Sequence, residues 1–235
     1  MDRRFAAARL RRDLIAEADA PQVIRDLSTS AAEAYRAAAG DQPRYAWPLA
    51  TLACLRATVE GFQFVGLGDS CLYLLPDDAL EASIHMAIPD AYEREQAAAR
   101  QHVERCGGIG ANGIANDDPQ TLAALRRHRG LQNTADGEVW TLGLVPAVAD
   151  HLSITLLPAQ PATALICSDG IADLVALYGA YDAAGLVRAA QQKGLAALIT
   201  ELRGLERDID PDGLAYPRFK QSDDATAMLV RLTVG

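Results

Sequence analysis

The sequence predicts an α+β protein, a layered sandwich of antiparallel strands and helices within one domain spanning residues 1–235. Three observations carry that expectation. Short β-like segments follow one another from Thr51 to Leu75 with connections too brief for helical crossovers, which favours antiparallel neighbours. Helical patterns are grouped between blocks of strands instead of alternating with them. The chain also runs late into one further apolar strand, Ala227-Met228-Leu229-Val230-Arg231-Leu232.

Each element has its own reason. Ala6, Leu10 and Leu14 recur at helical spacing among arginines, predicting an amphipathic helix over about Arg3–Ala18 that is interrupted near Pro21. A second helix is expected from Val23 to Ala39, fading at Gly40-Asp41, with Val23, Leu27, Ala31 and Tyr35 facing the core. Strands are expected at Thr51–Leu55, Gly61–Val65 and Cys71–Leu75, where β-branched, aromatic and aliphatic side chains suit a pleated surface. Gly66, Gly68 and Asp69 read as a tight hairpin between the last two. A charged helix is expected over Ala91–Val103. Loop is expected at Cys106–Gly110 and Asn112-Gly113, and Pro119 opens a short helix to Arg127. Further strands are expected at Val139–Leu144, His151–Leu157 and Ala162–Cys167. Helices follow over Ala172–Tyr178, Ala183–Gln192 and Leu195–Arg207, with a polar loop at Asp208–Gly213. No internal repeat or linker divides the chain.

With half of its 235 residues apolar, the chain can bury a substantial core. A formal net charge of -9 disfavours a broad nucleic-acid-binding face, because a polyanion needs compensating positive charge. Arg3-Arg4, Arg11-Arg12 and Arg126-Arg127 read as solvated helix faces. Cys54, Cys71, Cys106 and Cys167 form no CxxC pair and suit a reducing compartment. The charged N-terminus lacks the apolar core of a secretion signal, and no apolar run reaches membrane-spanning length. A cytoplasmic protein without integral membrane association is therefore expected.

Three acidic motifs follow apolar strands: Gly68-Asp69-Ser70, Ser168-Asp169-Gly170 and Ser222-Asp223-Asp224-Ala225-Thr226. A carboxylate at a strand end is held firmly yet reaches solvent, and hard divalent cations prefer such oxygen ligands. Singly, each motif reads as a turn or a helix cap. Their order and contexts, VGLGDSCLYLL, ALICSDGIADLV and KQSDDATAMLV, resemble the protein phosphatase 2C family of metal-dependent Ser/Thr phosphatases from about Ala46 to Val234.

The resemblance implies an αββα sandwich and phosphoserine or phosphothreonine hydrolysis by a water activated on Mg²⁺ or Mn²⁺, two ions in a complete family member. No side chain then acts directly as the catalyst. It implies that Asp169 and Asp223 are metal ligands and that Asp69 serves an additional metal position. Gly68, Ser70, Ser168, Asp224 and Thr226 support them, Thr226 by starting the last strand and Gly170 through tight-turn geometry. The partner would be a phosphorylated protein.

The chain departs from the family in one large respect. The early strands, with their acidic residue and Asp-Gly metal bridge, have no counterpart before Met1-Asp2-Arg3-Arg4, and Cys71 stands where the family often has arginine. The fold is thus expected to be N-terminally incomplete. Three readings stay open: a fragment of a longer product, a divergent phosphatase with substituted ligands, or a non-catalytic phosphoprotein-binding or regulatory module. His85, His102, His128 and His151 show no compact ligand spacing and read as structural or exposed.

Overall fold

The computed structural model describes residues 19–115 and 118–233. The helix expected over Arg3–Ala18 lies outside them. The described residues fall into two compact units, each assembled from discontinuous stretches of chain.

The first unit contains residues up to Gly68, Met86–Ile88 and Arg126–Ala159. Its helix α1, Ala20–Ala39, begins earlier than expected because Pro21 occupies the first turn, where its missing N–H costs nothing. The buried stripe is Ala20, Ile24, Leu27, Ser28 and Ala32, so the face is rotated from the predicted one: Leu27 is shared, while Ala31 and Tyr35 are only half-buried. Strands β1, Leu52–Thr58, and β2, Gly61–Leu67, pair antiparallel in a three-stranded sheet ordered β1-β2-β5, with β5 formed by Ser153–Leu157. Ile24, Leu52, Val65, Leu67 and Val148 form the core of this unit.

One predicted strand is missing here. Val139–Leu144 contributes only an isolated bridge, Leu142 to Ala50, because Asn133 takes up the neighbouring backbone. The Asn133 side chain accepts the Thr141 N–H at 2.7 Å, and its own N–H donates to the Val139 carbonyl at 3.0 Å. That arrangement closes a loop around Asn133, a residue in the left-handed region at φ 58°.

The second unit contains Asp69–His85, Pro89–Leu125 and the residues from Gln160 onward. Strands β3, Cys71–Pro76, β4, Ser83–Met86, β6, Ala162–Cys167, and β7, Ala227–Leu232, form a sheet ordered β4-β3-β6-β7. The β6–β7 ladder runs Cys167↔Ala227 to Ala162↔Leu232, and β3 pairs β6 with Cys71 opposite Cys167. The two thiols are buried and free, with Sγ atoms 3.7 Å apart. Helix α2 covers Ala91–Cys106, three residues beyond the expected end, and α3 covers Pro119–Leu131. Helices α4, Asp169–Ala176, α5, Ala183–Lys193, and α6, Leu195–Gly204, follow β6, and α5 packs on β3 and β6 through Leu186, Val187 and Ala190. After α6 a wide helical turn, Leu205–Ile209, replaces the start of the expected polar loop.

Two antiparallel sheets flanked by helices are the components of an αββα sandwich, as the fold class required. The Gly68-Asp69 hairpin is a correction. Strands β2 and β3 belong to different sheets, so this turn carries the chain from one sheet to the other. Gly68 is needed there, at φ 77°, because a Cβ would meet Thr51 Cγ2 at 2.7 Å. Among the described residues, no helix is long and apolar enough to cross a membrane.

Candidate functional site

The second unit contains a cleft whose lining includes Asp169, Asp173, Glu95, Lys220 and Asp223, with a volume of about 40 Å³. That is room for an ion and a few waters, and far too little for a drug-sized organic ligand.

Asp169 enters at the junction of β6 and α4. Helix α4 starts at Asp169 because the Ser168 carbonyl accepts from both Ile171 and Ala172 N–H. Asp169 Oδ1 accepts the Gly170 N–H at 2.9 Å, which covers one orphan donor of the first turn and fixes the carboxylate. Asp173 lies one turn further along the same helix face. Ser168 ties this corner to the segment before β7: its N–H reaches the Thr226 carbonyl at 3.0 Å, and its Oγ accepts the Thr226 N–H at 3.1 Å and donates to the Asp224 carbonyl at 3.2 Å. Gly170 is helical with no positive φ, contrary to its expected turn role. Its constraint is close approach, since a Cβ there would stand 2.5 Å from the Asp224 carbonyl oxygen.

Asp223 is held from both sides. Arg203, itself paired with the buried Glu206 at 2.5 Å, donates to the Asp223 carbonyl at 2.7 Å. Lys220 Nζ donates to both Asp223 carboxylate oxygens, at 2.7 and 2.6 Å. The loop bearing both is anchored by Asp210, which sequence inspection assigns to a polar loop but which is buried. Asp210 accepts from the Leu214, Ala215 and Tyr216 N–H groups and pairs with Arg218 at 2.9 Å. Burial alone would raise its pKa, yet these donors together hold it below the ordinary carboxylate value. Arg218 also donates to the Glu206 carbonyl at 3.0 Å, so one buried ion pair organises the path toward Lys220.

Asp69 stands beside the cleft, close enough to act electrostatically on Asp169 and Glu95. Its carbonyl accepts the Tyr92 hydroxyl of α2 at 3.1 Å, which links the strand entry to that helix. Burial raises the Asp69 carboxyl, and Asp223 adds to the effect while Lys220 opposes it. Burial, then Asp69 and Asp223, push Asp169 up to about 7. Burial and then Asp169 raise Asp173 well above the usual carboxylate range. Glu95 is also raised, by its surroundings and then by Asp69, but it is solvent-exposed at the rim, where water damps such effects. These carboxyls are crowded beyond what Lys220 neutralises, and their oxygens are the donors that hard divalent cations take. The donor type suits Mg²⁺ or Mn²⁺, although these carboxyls are not among the described residues whose ligand atoms gather in threes within 4.8 Å of one another.

The expected residues are thus distributed plainly. Asp169 and Asp223 line one cleft, Asp69 adjoins it, Asp224 is exposed with its backbone carbonyl bonded to Ser168, and Ser70 is buried. Sequence inspection missed Asp173, Glu95 and Lys220. Asp173 and Lys220 fall inside the contexts ALICSDGIADLV and KQSDDATAMLV, Asp173 at four-residue spacing from Asp169, whereas nothing local marks Glu95. None of the four histidines is among the residues lining this cleft.

A second cluster also escaped the sequence reading. His102, Cys106 and Asp118 each offer a ligand atom, all within 4.8 Å of one another, a potential metal-coordinating group of mixed nitrogen, sulfur and oxygen character. His102 and Cys106 are one turn apart on α2, and Asp118 precedes α3. Arg105 already donates to Asp118 Oδ2 at 2.6 Å, and Thr121 Oγ bridges Asp118 and His102 at 2.7 Å each. A metal ion there would compete with Arg105 for that carboxylate.

No family model matches this sequence, and no curated protein matches it. Solved structures similar to this chain include the following three. One is described as PppA, a key regulatory component of T6SS in Pseudomonas aeruginosa, at 18% identity and TM-score 0.42, with 89% of this chain and 67% of that chain covered. Another is the Mycobacterium tuberculosis serine/threonine phosphatase PstP/Ppp, at 18% identity and TM-score 0.45, covering 94% of this chain and 73% of that one. The third is serine-threonine phosphatase 2C from Toxoplasma gondii, at 12% identity and TM-score 0.47, with coverages of 90% and 65%.

Proposed function

We propose that the cleft around Asp169 and Asp223 is a divalent-cation site serving hydrolysis of phosphoserine or phosphothreonine monoesters, in this chain or in a longer protein containing it. The observation that supports this reading is the convergence, on one small cleft, of carboxylates from separate segments of the chain, Asp169 and Asp223 lining it with Asp69 alongside. Those aspartates are the ones singled out by the three phosphatase-like sequence motifs.

Asp169, Asp223 and Asp69 would hold Mg²⁺ or Mn²⁺, with Asp173 and Glu95 offering further carboxyl oxygens from α4 and α2. Bound there, the cation would lower the pKa of a coordinated water and offset charge on phosphoryl oxygens. The protein's own contribution is orientation. Ser168 fixes the separation of the Asp169 and Asp224 segments, while Arg203 and the Asp210–Arg218 pair hold the loop that carries Asp223.

The test is phosphate release from phosphoserine and phosphothreonine peptides with millimolar Mn²⁺ or Mg²⁺. Release that depends on metal and is abolished in Asp169→Asn and Asp223→Asn is the expected result. A folded, metal-loaded chain that releases no phosphate refutes catalysis. The Lys220–Asp223 pair favours one second reading, a phosphoprotein-binding module without turnover, because it engages both oxygens of an expected ligand. Phosphopeptide binding without release would select it.

A further inference from the structure

Lys220 is placed by backbone pairing, not by chance of side-chain packing. The Phe219 carbonyl accepts the Ala115 N–H at 2.7 Å, the Gln221 N–H donates to the Gly113 carbonyl at 2.7 Å, and Ile114 and Lys220 form an antiparallel bridge between them. From that fixed point the side chain extends to Asp223 and grips both of its oxygens, at 2.7 and 2.6 Å. Asp169 and Glu95 also act on the ammonium, and Asp69 feels it in turn. The result is a monovalent cation, tethered by a four-carbon stem, among the carboxyls that line the cleft.

We propose that Lys220 is a resident counter-ion that a divalent cation must displace from Asp223, so that this side chain sets how tightly the cleft holds metal. The proposal rests on reading the cleft as a divalent-cation site and adds to it a built-in competitor. While both Asp223 oxygens accept from the ammonium, about half of that carboxylate's roughly four lone-pair sites are taken and a positive charge already sits where an ion would approach. The competitor is removable: the Lys220 side chain is 49% exposed, so it can swing into water and be hydrated there. In the metal-free protein the same ammonium offsets repulsion among the carboxylates. Its loss therefore has two effects of opposite sign, tighter metal and a less stable metal-free fold. A lysine with a purely structural role would give only the second. A lysine that only anchors substrate phosphate would give neither, and would alter KM instead.

The experiment titrates Mn²⁺ into the whole chain by calorimetry, with bound Mn²⁺ counted by electron paramagnetic resonance and thermal unfolding recorded with and without metal. Wild type, Lys220→Met, Lys220→Arg and Asp223→Asn are compared. Lys220→Met is expected to bind Mn²⁺ about tenfold more tightly, a difference of about 1.4 kcal/mol, while unfolding at lower temperature without metal. Lys220→Arg, which keeps the charge, should stay near wild type, and Asp223→Asn should bind far more weakly than either. If methionine compromises folding, Lys220→Gln serves under the same criteria. Equal or weaker Mn²⁺ binding by the neutral variant overturns the counter-ion proposal while leaving the metal site standing. Absence of Mn²⁺ binding by wild type and neutral variant alike overturns both.

Discussion

Asparagine at position 169 should stabilise the metal-free protein at pH 8 while removing its capacity to gain stability from metal. The Asp169 carboxyl titrates at about 7 in the folded chain against an ordinary 3.8, because burial and then Asp69 and Asp223 disfavour its charge. Between those two values the folded protein holds a proton that the unfolded chain has released. Stability therefore falls as pH rises through that window, and above pH 7 the whole penalty is present. Taken at face value, a separation of that size corresponds to about 4 kcal/mol. Relaxation and water reaching a partly exposed cleft reduce this, and about 2 kcal/mol is the figure to test. For a chain of this length, that is a rise of about 4–8 °C in Tm. Asparagine keeps the oxygen that accepts the Gly170 N–H, so the corner is preserved. The assay is thermal unfolding of wild type and Asp169→Asn in chelator at pH 5 and pH 8, repeated with Mn²⁺. The variant should gain most at pH 8 and roughly a third as much at pH 5, where the window between the two values is only partly crossed, and wild type alone should gain strongly from Mn²⁺. A variant no more stable than wild type at pH 8, or one with the same pH slope, would refute the account of crowded, under-neutralised carboxylates.

Other changes probe the scaffold. Asp210→Ala leaves Arg218 charged and buried without its partner and should cost about 3–5 kcal/mol in urea-induced unfolding. Gly170→Ala forces a Cβ to 2.5 Å from the Asp224 carbonyl oxygen and should cost about 1–3 kcal/mol, with weaker Mn²⁺ binding measured by calorimetry because the corner between Asp169 and Asp223 opens. Ser168→Ala removes the hydroxyl that bonds Thr226 and Asp224, and should lower Tm and Mn²⁺ affinity together, whereas Asp224→Asn, whose side chain is exposed, should leave both near wild type.

Strands and late helices were legible wherever local pattern and burial coincide. The terminal strand Ala227–Leu232 is legible with its bounds intact, and β6 likewise, because both are short, mainly apolar runs of strand length, even though Arg231 and the exposed Met228 leave the last strand half-buried. The reading failed where a distant group takes over the backbone. Val139–Leu144 has strand-like composition, but Asn133 captures its hydrogen-bonding groups through a left-handed turn that no periodicity reveals. The Gly68-Asp69 turn looked like a hairpin because its glycines fit one equally well, and which sheet the next strand joins is decided by partners far along the chain. At the site, Asp69, Asp169 and Asp223 carry the motifs, Lys220 opens one of them with nothing in the spacing to give it a role, and Glu95 sits in an ordinary charged helix, so both acquire meaning only through tertiary position.

The cleft also explains why its supports are so heavily bonded. Burial first, and then the proximity of other carboxylates, raises Asp69, Asp169 and Asp173 above their usual titration range, which is a standing cost to the folded state at neutral pH. Such an arrangement persists only where the surrounding structure over-determines it. Here the over-determination is visible in the Ser168 bonds to the strand-entry backbone, in Arg203 on the Asp223 carbonyl, and in the Asp210–Arg218 pair with three further N–H donors on one carboxylate. Lys220 then supplies the flexible part of the balance, since it is the one ammonium among the described residues lining the cleft and its stem is free to leave. A rigid frame with a removable positive charge lets repulsion be relieved either from within, by the lysine, or from solution, by a divalent cation. Variants of the frame and of Lys220 should consequently separate in their response: frame variants lose metal affinity and stability together, and loss of the lysine trades one for the other.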